Sequence, residues 1–293
     1  MTTTQLIIRA DFLLEALPYI QKYRGETFVV KYGGSFMDSK DPEERESVAR
    51  DITFLEAVGI NPVVVHGGGK AITRALKEAD IETRFVNGMR LTDKQTMNVV
   101  ERVLSYEVNP RIVEEISRFG GKAKGFTGTR ILKCRKKLLP GEGGKAVDVG
   151  FVGEVTDVDT TQILECIANN ITPVLSPTAS DEEGNFYNCN ADIAAAQVAI
   201  ALKARRLVFM SDVPGLMRDL SDPTSLIPRV HVSEVEELKR RGIIEAGMIP
   251  KMDSAVEAIE AGVEKVSLVD GRMPHSVMLE IFTHAGVGTE LVV

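Results

Sequence analysis

The sequence predicts an α/β fold built on a mostly parallel sheet with helices on both faces. The first observation is a regular alternation: the apolar run TFVVKY precedes a long amphipathic stretch, a second apolar run NPVVVH and another amphipathic stretch. The second is that this order returns later in the chain, around RLVFMS and EKVSLVD. Strands that alternate with helices form parallel sheets, because each helix carries the chain back across a face of the sheet.

Composition limits the classes of function. A chain of 293 residues with 44% hydrophobic and 26% charged residues is typical of a globular protein of one large α/β unit or about two domains. The net charge of −7, the absence of Trp and an aromatic content of 5% argue against nucleic-acid binding. The N-terminus lacks the pattern of a secretory signal, and no apolar run reaches the roughly 20 residues of a membrane helix. Three scattered cysteines indicate a reducing compartment, so we expect a cytoplasmic protein. From the charge, the aromatic content and the short apolar runs, we expect no nucleic-acid or membrane partner.

The first long helix between strands is predicted over residues 41–59. Asp41 is suited to the N-cap and Pro42 to the first turn, and Glu44 is spaced for the reciprocal bond of a capping box. Gly59 can end the helix, since glycine adopts the left-handed conformation that follows many helices.

The second half of the chain carries comparable signals. Ser233 and Glu236 are spaced for another capping box at the start of a short helix. Between the two halves, residues 133–155 are rich in glycine and valine, which indicates β-hairpins rather than a helix.

Residues 1–25 predict a helix that lies before the first strand. Pro18 interrupts its periodicity, so we expect a kink or a break there. The helix has an apolar stripe that packs either on the body of the same chain or on a second subunit. The apolar stripe consists of Phe12, Leu13, Leu17 and Ile20.

Two strand ends carry the residues with the clearest chemistry. The first strand delivers Lys31, followed by Gly33 and Gly34, and the second is followed by Gly67 and Gly68. Ligands of parallel sheets bind at the carboxyl ends of strands, so both glycine pairs should lie at one edge. Glycine lets backbone N–H groups approach an anion closely, although two tight turns are the alternative explanation.

Two familiar nucleotide-binding motifs do not fit these stretches. The Walker pattern needs Ser or Thr after Gly-Lys, but Lys70, Lys122 and Lys145 all precede alanine. The dinucleotide fingerprint needs a third glycine where GGGKAI has Ile72. The sequence therefore predicts neither a P-loop protein nor a plain Rossmann dehydrogenase.

Three further stretches place polar residues beside predicted elements. NGMRLTD contains Arg90, whose guanidinium can bind a carboxylate through two hydrogen bonds. YNCNAD places Asn188 and Asp192 before an alanine-rich helix, and GMIPKMDSA places Lys251 at the start of another. Each alone is as well explained by a helix cap or a solvated lysine, but together they favour a functional site.

In this order, the stretches KYGG, VVHGGG, NGMRLTD, YNCNAD and GMIPKMDSA resemble the motifs of the amino acid kinase family. The resemblance covers nearly the whole chain, and five ordered motifs are far more specific than any one of them. It implies a three-layer αβα sandwich around the mostly parallel sheet. It also implies an oligomerisation arm over 1–25, an N-terminal lobe over 26–190 for an acyl amino acid and a C-terminal lobe over 191–293 for ATP.

Within the family, the motifs are most similar to those of enzymes that phosphorylate the side-chain carboxylate of N-acetylglutamate in arginine biosynthesis. The implied co-substrate is ATP with Mg²⁺, without a prosthetic group or a dedicated metal site. The implied catalytic residues are Lys31, Lys251 and Asp192, with the aspartate holding both lysines. The implied substrate-binding residues are Gly34, Gly67, Gly68, Arg90 and Asn188. The implied ATP-binding residues are Gly33, Ser211, Asp212, Gly215 and Met248.

Arginine-inhibited members of the family carry a similar N-terminal helix and interlace it between dimers. The resemblance therefore implies a hexamer, built as a trimer of dimers, and feedback inhibition by arginine. The implied effector residues are Tyr19, Lys203, His275, Glu280 and Gly286. A regulatory partner of the PII type would add to catalysis, and no motif of the sequence addresses it.

Two alternatives remain open at the level of sequence. One is another substrate of the same family, such as carbamate, unacylated glutamate, aspartate or a nucleoside monophosphate; Arg90 together with Asn188 favours an acylated amino acid. The other is a non-catalytic arginine sensor on the same fold, which the retention of Lys31, Asp192 and Lys251 disfavours.

Overall fold

The computed structural model describes residues 2–39, 41–86, 89–140, 146–245 and 247–293. The helices are α1 (Thr3–Tyr23), α2 (Pro42–Ala57), α3 (Gly69–Glu78), α4 (Lys94–Val103), α5 (Asn109–Arg118), α6 (Gly128–Ile131), α7 (Thr161–Ala168), α8 (Ala191–Ala201), α9 (Val235–Arg240), α10 (Met248–Glu260) and α11 (Ser276–Phe282). The strands are β1 (Thr27–Tyr32), β2 (Asn61–His66), β3 (Phe85–Val86), β4 (Met89–Arg90), β5 (Ala123–Phe126), β6 (Leu132–Pro140), β7 (Ala146–Val158), β8 (Thr172–Leu175), β9 (Thr178–Ser180), β10 (Phe186–Asn188), β11 (Arg206–Ser211), β12 (Arg229–His231), β13 (Lys265–Asp270) and β14 (Thr289–Val292).

An eight-stranded sheet with the order β12-β14-β13-β11-β1-β2-β8-β5 forms the centre of the molecule. Its neighbours are parallel except for β13 and β14. Successive residues of β1 enter two different hydrophobic cores: Val29 packs on one face, and Phe28 and Val30 on the other. Apolar residues on both faces require cover on both faces. The predicted αβα sandwich with a mostly parallel sheet is therefore confirmed.

The start of α2 confirms part of its predicted cap. Asp41 is the N-cap and accepts a hydrogen bond from the backbone N–H of Glu43 at 2.9 Å, and Gly59 follows the helix with a φ of 87°. The direct capping box is wrong. The Glu44 carboxylate accepts from the Ser39 hydroxyl at 2.6 Å, and that hydroxyl accepts from the Asp41 N–H at 3.1 Å. A serine that precedes the cap thus stands between the two groups.

The capping box predicted at Ser233 and Glu236 is also wrong. A short 3-10 turn precedes α9, so the helical path begins earlier than the apolar pattern indicates. The carboxylate that reaches back is that of Glu234, which accepts from the backbone N–H of His231 at 2.7 Å.

The predicted hairpin between the two halves is confirmed as the antiparallel pair β6 and β7. Its tip, residues 141–145, lies outside the described residues, as do Asn87 and Gly88 of the NGMRLTD stretch. These strands form a small closed barrel with β9 and β10, and β3 and β4 form a separate hairpin.

Helix α1 runs unbroken through Pro18, so the proline does not end it. Pro18 has no N–H to donate to the carbonyl of Leu14, a residue that is itself 65% exposed. Ala16 and Tyr23 are buried against the body of the chain, whereas Leu13 and Leu17 are 64% and 44% exposed. The side chain of Phe12 lies outside the described part. In the described ranges, no helix is long and apolar enough to cross a membrane.

Candidate active site

An aspartate between two lysines lies at the carboxyl end of β1. The ammonium nitrogen of Lys31, on β1, is 3.0 Å from Oδ1 of Asp192, and that of Lys251, on α10, is 2.9 Å from Oδ2. The three side chains are only 8% to 15% exposed. We call these three residues the aspartate–lysine cluster. The structure thus brings together all three residues predicted to be catalytic.

The charges of the cluster stabilise one another against burial. Burial by itself raises the pKa of Asp192, but the nearby charges of Lys31 and Lys251 outweigh it and bring this pKa down to about 2. Burial lowers the pKa of Lys251; Lys31 acts in the same direction, and Asp192 opposes both. An ionised aspartate therefore holds two cations side by side, and one excess positive charge faces the cleft.

Local sequence explains how the cluster is placed. Asn190 is the N-cap of α8, and its side-chain oxygen accepts from the backbone N–H groups of Asp192 at 2.8 Å and Ile193 at 3.2 Å. Lys251 lies in the first turn of α10, with its ammonium 4.9 Å from the ring centre of Phe209. Small residues let α8 pack closely on β1, β2 and α10. The fully buried alanines of α8 are Ala194, Ala195, Ala196 and Ala199.

The two glycines after β1 make room for charged groups. A Cβ atom on Gly33 would lie 2.7 Å from Nζ of Lys31, and one on Gly34 would lie 2.8 Å from Oδ1 of Asp212. Gly34 also has a φ of 151°, which favours glycine. The backbone N–H of Ser35 donates to Oδ1 of Asp212 at 2.6 Å. The glycines therefore allow the end of β1 to meet the residue that follows β11.

A buried hydrogen-bonded chain holds the residue after β2. The N–H of Gly67 donates to the carbonyl of Tyr32 at 2.7 Å, and the carbonyl of Gly67 accepts from Nδ1 of His66 at 2.7 Å. Nε2 of His66 lies 3.3 Å from Nδ2 of Asn109, which also donates to the carbonyl of Val174 at 2.9 Å. Both polar groups of Gly67 are thus fixed.

This chain sets the direction of the N–H of Gly68. The carbonyl of Gly67 and the N–H of Gly68 belong to one planar peptide and point in opposite directions. Burial lowers the pKa of His66 to about 4, so at neutral pH Nδ1 carries the only ring proton and Nε2 accepts from Asn109. Gly68 is therefore held as a donor at the cleft. The N–H of Gly67 already donates to the carbonyl of Tyr32, and the contact predicted between Gly67 and substrate stays a prediction.

A cleft of about 290 Å³ extends from the aspartate–lysine cluster to the β3–β4 hairpin. Arg90 is buried at its far end, where it donates to the Thr73 hydroxyl at 2.9 Å and to the Gly69 carbonyl at 3.3 Å. Its guanidinium carbon lies 4.8 Å from the ring centre of Phe85. Burial lowers the pKa of Arg90, which stays a cation because guanidinium is so basic. All the predicted substrate-binding residues line this cleft: Gly34, Gly67, Gly68, Arg90 and Asn188.

Comparison with known proteins identifies the family to which this sequence is similar. The model of the amino acid kinase family matches residues 26–270 of the chain. The chain belongs to the amino acid kinase family. It is 46% identical to the acetylglutamate kinase of Akkermansia muciniphila over 291 residues, which cover 99% of this chain and 97% of that protein. It is 47% identical to the acetylglutamate kinase of Carboxydothermus hydrogenoformans over 288 residues, which cover 97% of each protein.

Solved structures show the same fold. An N-acetylglutamate synthase from Neisseria gonorrhoeae, complexed with coenzyme A and N-acetyl-glutamate, superposes with a TM-score of 0.83 at 24% identity. The match covers 97% of this chain and 63% of the synthase. Giardia carbamate kinase superposes with a TM-score of 0.64 at 14% identity and covers 92% of this chain and 99% of its own. At these identities the structures establish the amino acid kinase fold and no more.

The residues predicted to bind ATP lie around the ends of β1, β11 and α10. Gly215 is fixed by packing, because a Cβ atom there would lie 2.5 Å from Oγ1 of Thr289 and its φ is 153°. The hydroxyl of Ser211 donates to the carbonyl of Val213 at 3.3 Å. Contact with nucleotide stays a prediction for all of them: Gly33, Ser211, Asp212, Gly215 and Met248.

Two of the predicted effector residues contact each other. Glu280 is buried, and its Oε2 accepts from the N–H groups of Val287 at 2.9 Å and Gly288 at 3.2 Å. Within the described part of the chain, its Oε1 has no hydrogen-bond partner. Gly286 has a φ of 64°, and a Cβ atom there would lie 2.7 Å from Oε2.

The other three predicted effector residues have different neighbours. The hydroxyl of Tyr19, on α1, lies 3.3 Å from Nδ1 of His284. Nδ1 of His275 lies 2.6 Å from Oδ1 of the buried Asp51. Lys203 is exposed just beyond α8 and has a φ of 49°. A joint role in arginine binding stays a prediction for the five residues.

Three residues that position the site were not predicted from the sequence. Asn190 was within reach, since an asparagine directly before a helix is an N-cap signal. His66 lies inside a recognised motif, but only the fold shows that its ring is buried and faces a backbone carbonyl. Asn109 carries no local signal, because α5 brings it to His66 from a distant part of the chain.

The described residues contain no group of three or more His, Cys, Asp or Glu side chains suited to hold a metal ion. The donors available near the cleft are mainly cations and backbone N–H groups, which suit phosphate oxygens rather than a metal.

Proposed function

We propose that this chain transfers the γ-phosphoryl group of ATP to the side-chain carboxylate of N-acetylglutamate, in arginine biosynthesis. The observation that carries the proposal is the aspartate–lysine cluster at the glycine-rich ends of β1 and β2. Two acetylglutamate kinases that are 46% and 47% identical over nearly their whole length support the choice of substrate. The product is N-acetylglutamyl 5-phosphate.

The chemistry needs charge neutralisation more than proton transfer. A glutamate-type carboxylate has a pKa of about 4.3, so the nucleophile is already ionised at neutral pH. The obstacle is the approach of an anion to the polyphosphate of ATP. One pair of unit charges about 4 Å apart repels by about 4 kcal/mol at an effective dielectric constant near 20. Positioned cations and backbone donors reduce this cost and align the attack.

Each part of the site has a role in this scheme. Lys31 and Lys251 stabilise the negative charge of the transferring phosphoryl group and of the leaving ADP, and Asp192 keeps both ammonium groups at one point. The N–H of Gly68, whose direction is set by the hydrogen-bonded chain through His66, donates to the reacting oxygens. Arg90 binds the acyl amino acid at the far end of the cleft.

Mg²⁺ accompanies ATP in this proposal. When bound, it would be held by phosphate oxygens and water, as is common for this ion, and would supply further neutralisation of the polyphosphate charge. Asp212 lies beside Gly34, just after the end of β1, and its carboxylate already accepts a hydrogen bond from the N–H of Ser35.

A hydroxylamine trap tests the reaction. Hydroxylamine converts an acyl phosphate into a hydroxamate, so the purified protein with Mg-ATP should give a signal with N-acetylglutamate. Glutamate, aspartate, carbamate and a nucleoside monophosphate run in parallel, with ADP release measured for each. ADP release with another substrate alone would replace our choice of substrate, and no turnover with any of them would refute the proposed reaction.

We extend the proposal to feedback inhibition by arginine. The unpartnered oxygen of the buried Glu280 supports a guanidinium ligand, since such a pair satisfies both groups. Millimolar arginine should inhibit the wild-type protein and should inhibit Glu280→Gln far less, with turnover in the absence of arginine retained. Activity that arginine leaves unchanged between pH 6 and 9 would refute this extension.

A hexameric assembly through α1 also belongs to the proposal. Its support is an exposed apolar surface on α1, with side chains 44% to 65% exposed. Light scattering should give about six times the chain mass of 32.0 kDa, and Leu13→Gln with Leu17→Gln should give smaller species. A monomeric wild-type protein would contradict it. The exposed residues are Ile7, Leu13, Leu14 and Leu17.

The compartment that we propose is the cytoplasm, where an enzyme that uses ATP meets its substrate. The three cysteines are buried as free thiols, in line with a reducing environment. Cell fractionation with an antibody to the protein tests the assignment. The cysteines are Cys134, Cys166 and Cys189.

A further inference from the structure

One cation of the cleft has no role in the scheme above. Lys137, on β6, lines the same cleft as Arg90 and Asn188 and is half-buried. In the described part of the chain its ammonium forms no ion pair. Glu154, whose carboxylate feels its charge, is instead paired with Arg135 at 2.7 Å. A partly desolvated cation without an acidic partner is stabilised when an anion enters the cleft.

The backbone of β6 explains why this lysine points into the cleft. Lys136 pairs with Gly153 of β7, whereas Leu138 pairs with Asp148, so residues 149–152 of β7 are extra residues opposite Lys137. The alternation of β6 itself is kept, so Lys137 points to the side opposite the exposed Lys136 and Leu138. Irregular stretches such as that of β7 occur often beside functional sites. The neighbouring Lys136 remains on the outer side, where its ammonium lies 2.7 Å from the Asp148 carboxylate.

The same irregular stretch of β7 holds the segment that carries Arg90. The N–H of Thr92 donates to the carbonyl of Val149 at 3.0 Å, and the N–H of Phe151 donates to the carbonyl of Thr92 at 2.6 Å. The hydroxyl of Thr92 donates in turn to the carbonyl of Arg90 at 2.8 Å. Arg90 and Lys137 therefore adjoin one irregular stretch of β7, and both line the cleft.

The proposed substrate is a dianion, and its two carboxylates need different partners. The side-chain carboxylate faces the aspartate–lysine cluster as the nucleophile, so the α-carboxylate lies towards the other end. Arg90 already donates to the Thr73 hydroxyl, the Gly69 carbonyl and, at 3.3 Å, the Thr83 hydroxyl. A guanidinium has five N–H donors, so these bonds leave it few for a ligand.

We propose that Lys137 binds the α-carboxylate of the acyl amino acid together with Arg90, and that it selects substrates that carry this second carboxylate. The inference rests on the proposed function. It adds a residue that the family motifs do not single out, on the side of β6 that lines the cleft.

The test combines a change in the protein with a change in the substrate. Lys137→Met keeps the length of the side chain and removes its charge, and Lys136→Met is the matched control one residue away. The substrates are N-acetylglutamate and 4-acetamidobutanoate, which is the same molecule without the α-carboxylate. Affinity is measured as KM, or as a competitive inhibition constant where turnover is slow, and by calorimetry in parallel.

Lys137→Met should weaken N-acetylglutamate binding by about 10- to 100-fold, the range for a charged hydrogen bond. The kcat and the KM for ATP should stay within about 2-fold of the wild-type values, because neither involves the α-carboxylate. Binding of 4-acetamidobutanoate should change by less than about 2-fold, and Lys136→Met should bind both ligands as the wild type does.

Three outcomes would overturn the assignment: unchanged affinity for N-acetylglutamate, an equal loss with both ligands, or a rise in the KM for ATP alone. Circular dichroism confirms that each variant is folded. If wild-type protein binds N-acetylglutamate but forms no hydroxamate, the proposed reaction fails while calorimetry still decides the role of Lys137. If it binds none, both proposals fail.

Discussion

The Asp192→Asn substitution removes the negative charge between two lysines and keeps the shape of the side chain. The pKa of Asp192 falls from 3.8 to about 2 in the folded protein, which corresponds to about 2 kcal/mol of stability at neutral pH. Because the folded pKa lies below the unfolded one, this contribution is complete above about pH 4 and is lost as the pH falls towards 2. The asparagine variant lacks it at every pH.

The catalytic effect should be larger than the effect on stability. Without the carboxylate, the ammonium groups of Lys31 and Lys251 repel each other and leave the point at which phosphoryl charge develops. We expect kcat to fall by about 100- to 1,000-fold, the range for loss of a preorganised electrostatic group. The hydroxamate assay gives kcat, and urea denaturation at pH 7 gives the free energy of unfolding.

A second variant separates the two effects. Lys251→Met in the Asp192→Asn background removes the repulsion, so it should recover part of the lost stability and none of the lost activity. Full turnover in folded Asp192→Asn would refute the idea that the aspartate organises the lysines for catalysis. A double variant that is less stable than Asp192→Asn would refute the repulsion argument.

Three other substitutions test separate parts of the site and fold. Arg90→Ala should raise the KM for N-acetylglutamate about 10-fold or more with a smaller change in kcat, since it removes a binding group; steady-state kinetics decides, and an effect on kcat alone would contradict it. Asn109→Leu leaves Nε2 of His66 without a donor and loosens the Gly67 carbonyl, so kcat should fall about 10-fold while both KM values stay unchanged. Unchanged kcat in a folded variant would contradict the role of the hydrogen-bonded chain through His66. Burial raises the pKa of Asp51 to about 6 despite its bond with His275, so its stabilising effect is complete below about pH 4 and is lost as the pH rises through 6. Urea denaturation at pH 4.5 and pH 8 should therefore show a decline in wild-type stability, by up to about 3 kcal/mol, that Asp51→Asn lacks; equal pH dependence of the two proteins would refute this.

The parallel sheet was predictable because its signal is local. Apolar runs separated by helical periodicity are visible in the sequence, and Asp41 and Gly59 lie at the predicted ends of α2. The capping boxes failed for a physical reason: spacing identifies a carboxylate within reach of the cap but does not show which donor it meets. Ser39 and Glu234 supply the actual contacts. The lobe division at residue 190 stays a prediction.

The site was predictable only as far as motifs reach. Lys31, Asp192 and Lys251 stand in short stretches with a recognisable order, and the fold brings them together. The contribution of Asn109 depends on which helix reaches His66 at the end of β2, and that of Lys137 depends on which side of β6 borders the cleft. Neither event leaves a trace in the neighbouring sequence, so tertiary structure alone reveals them.

The pairing of β1 with both β2 and β11 has a consequence for how the chain is made. β1 lies in the middle of the sheet. One of its edges pairs with β2, and the other stays unpaired until β11, which begins at Arg206, has been synthesised. A nascent chain that has emerged only as far as β10 exposes this open edge, which is a template for pairing with other chains. The ribosome must therefore deliver residues beyond 206 before the first strands are protected, and slow translation across residues 190–210 should increase misassembly.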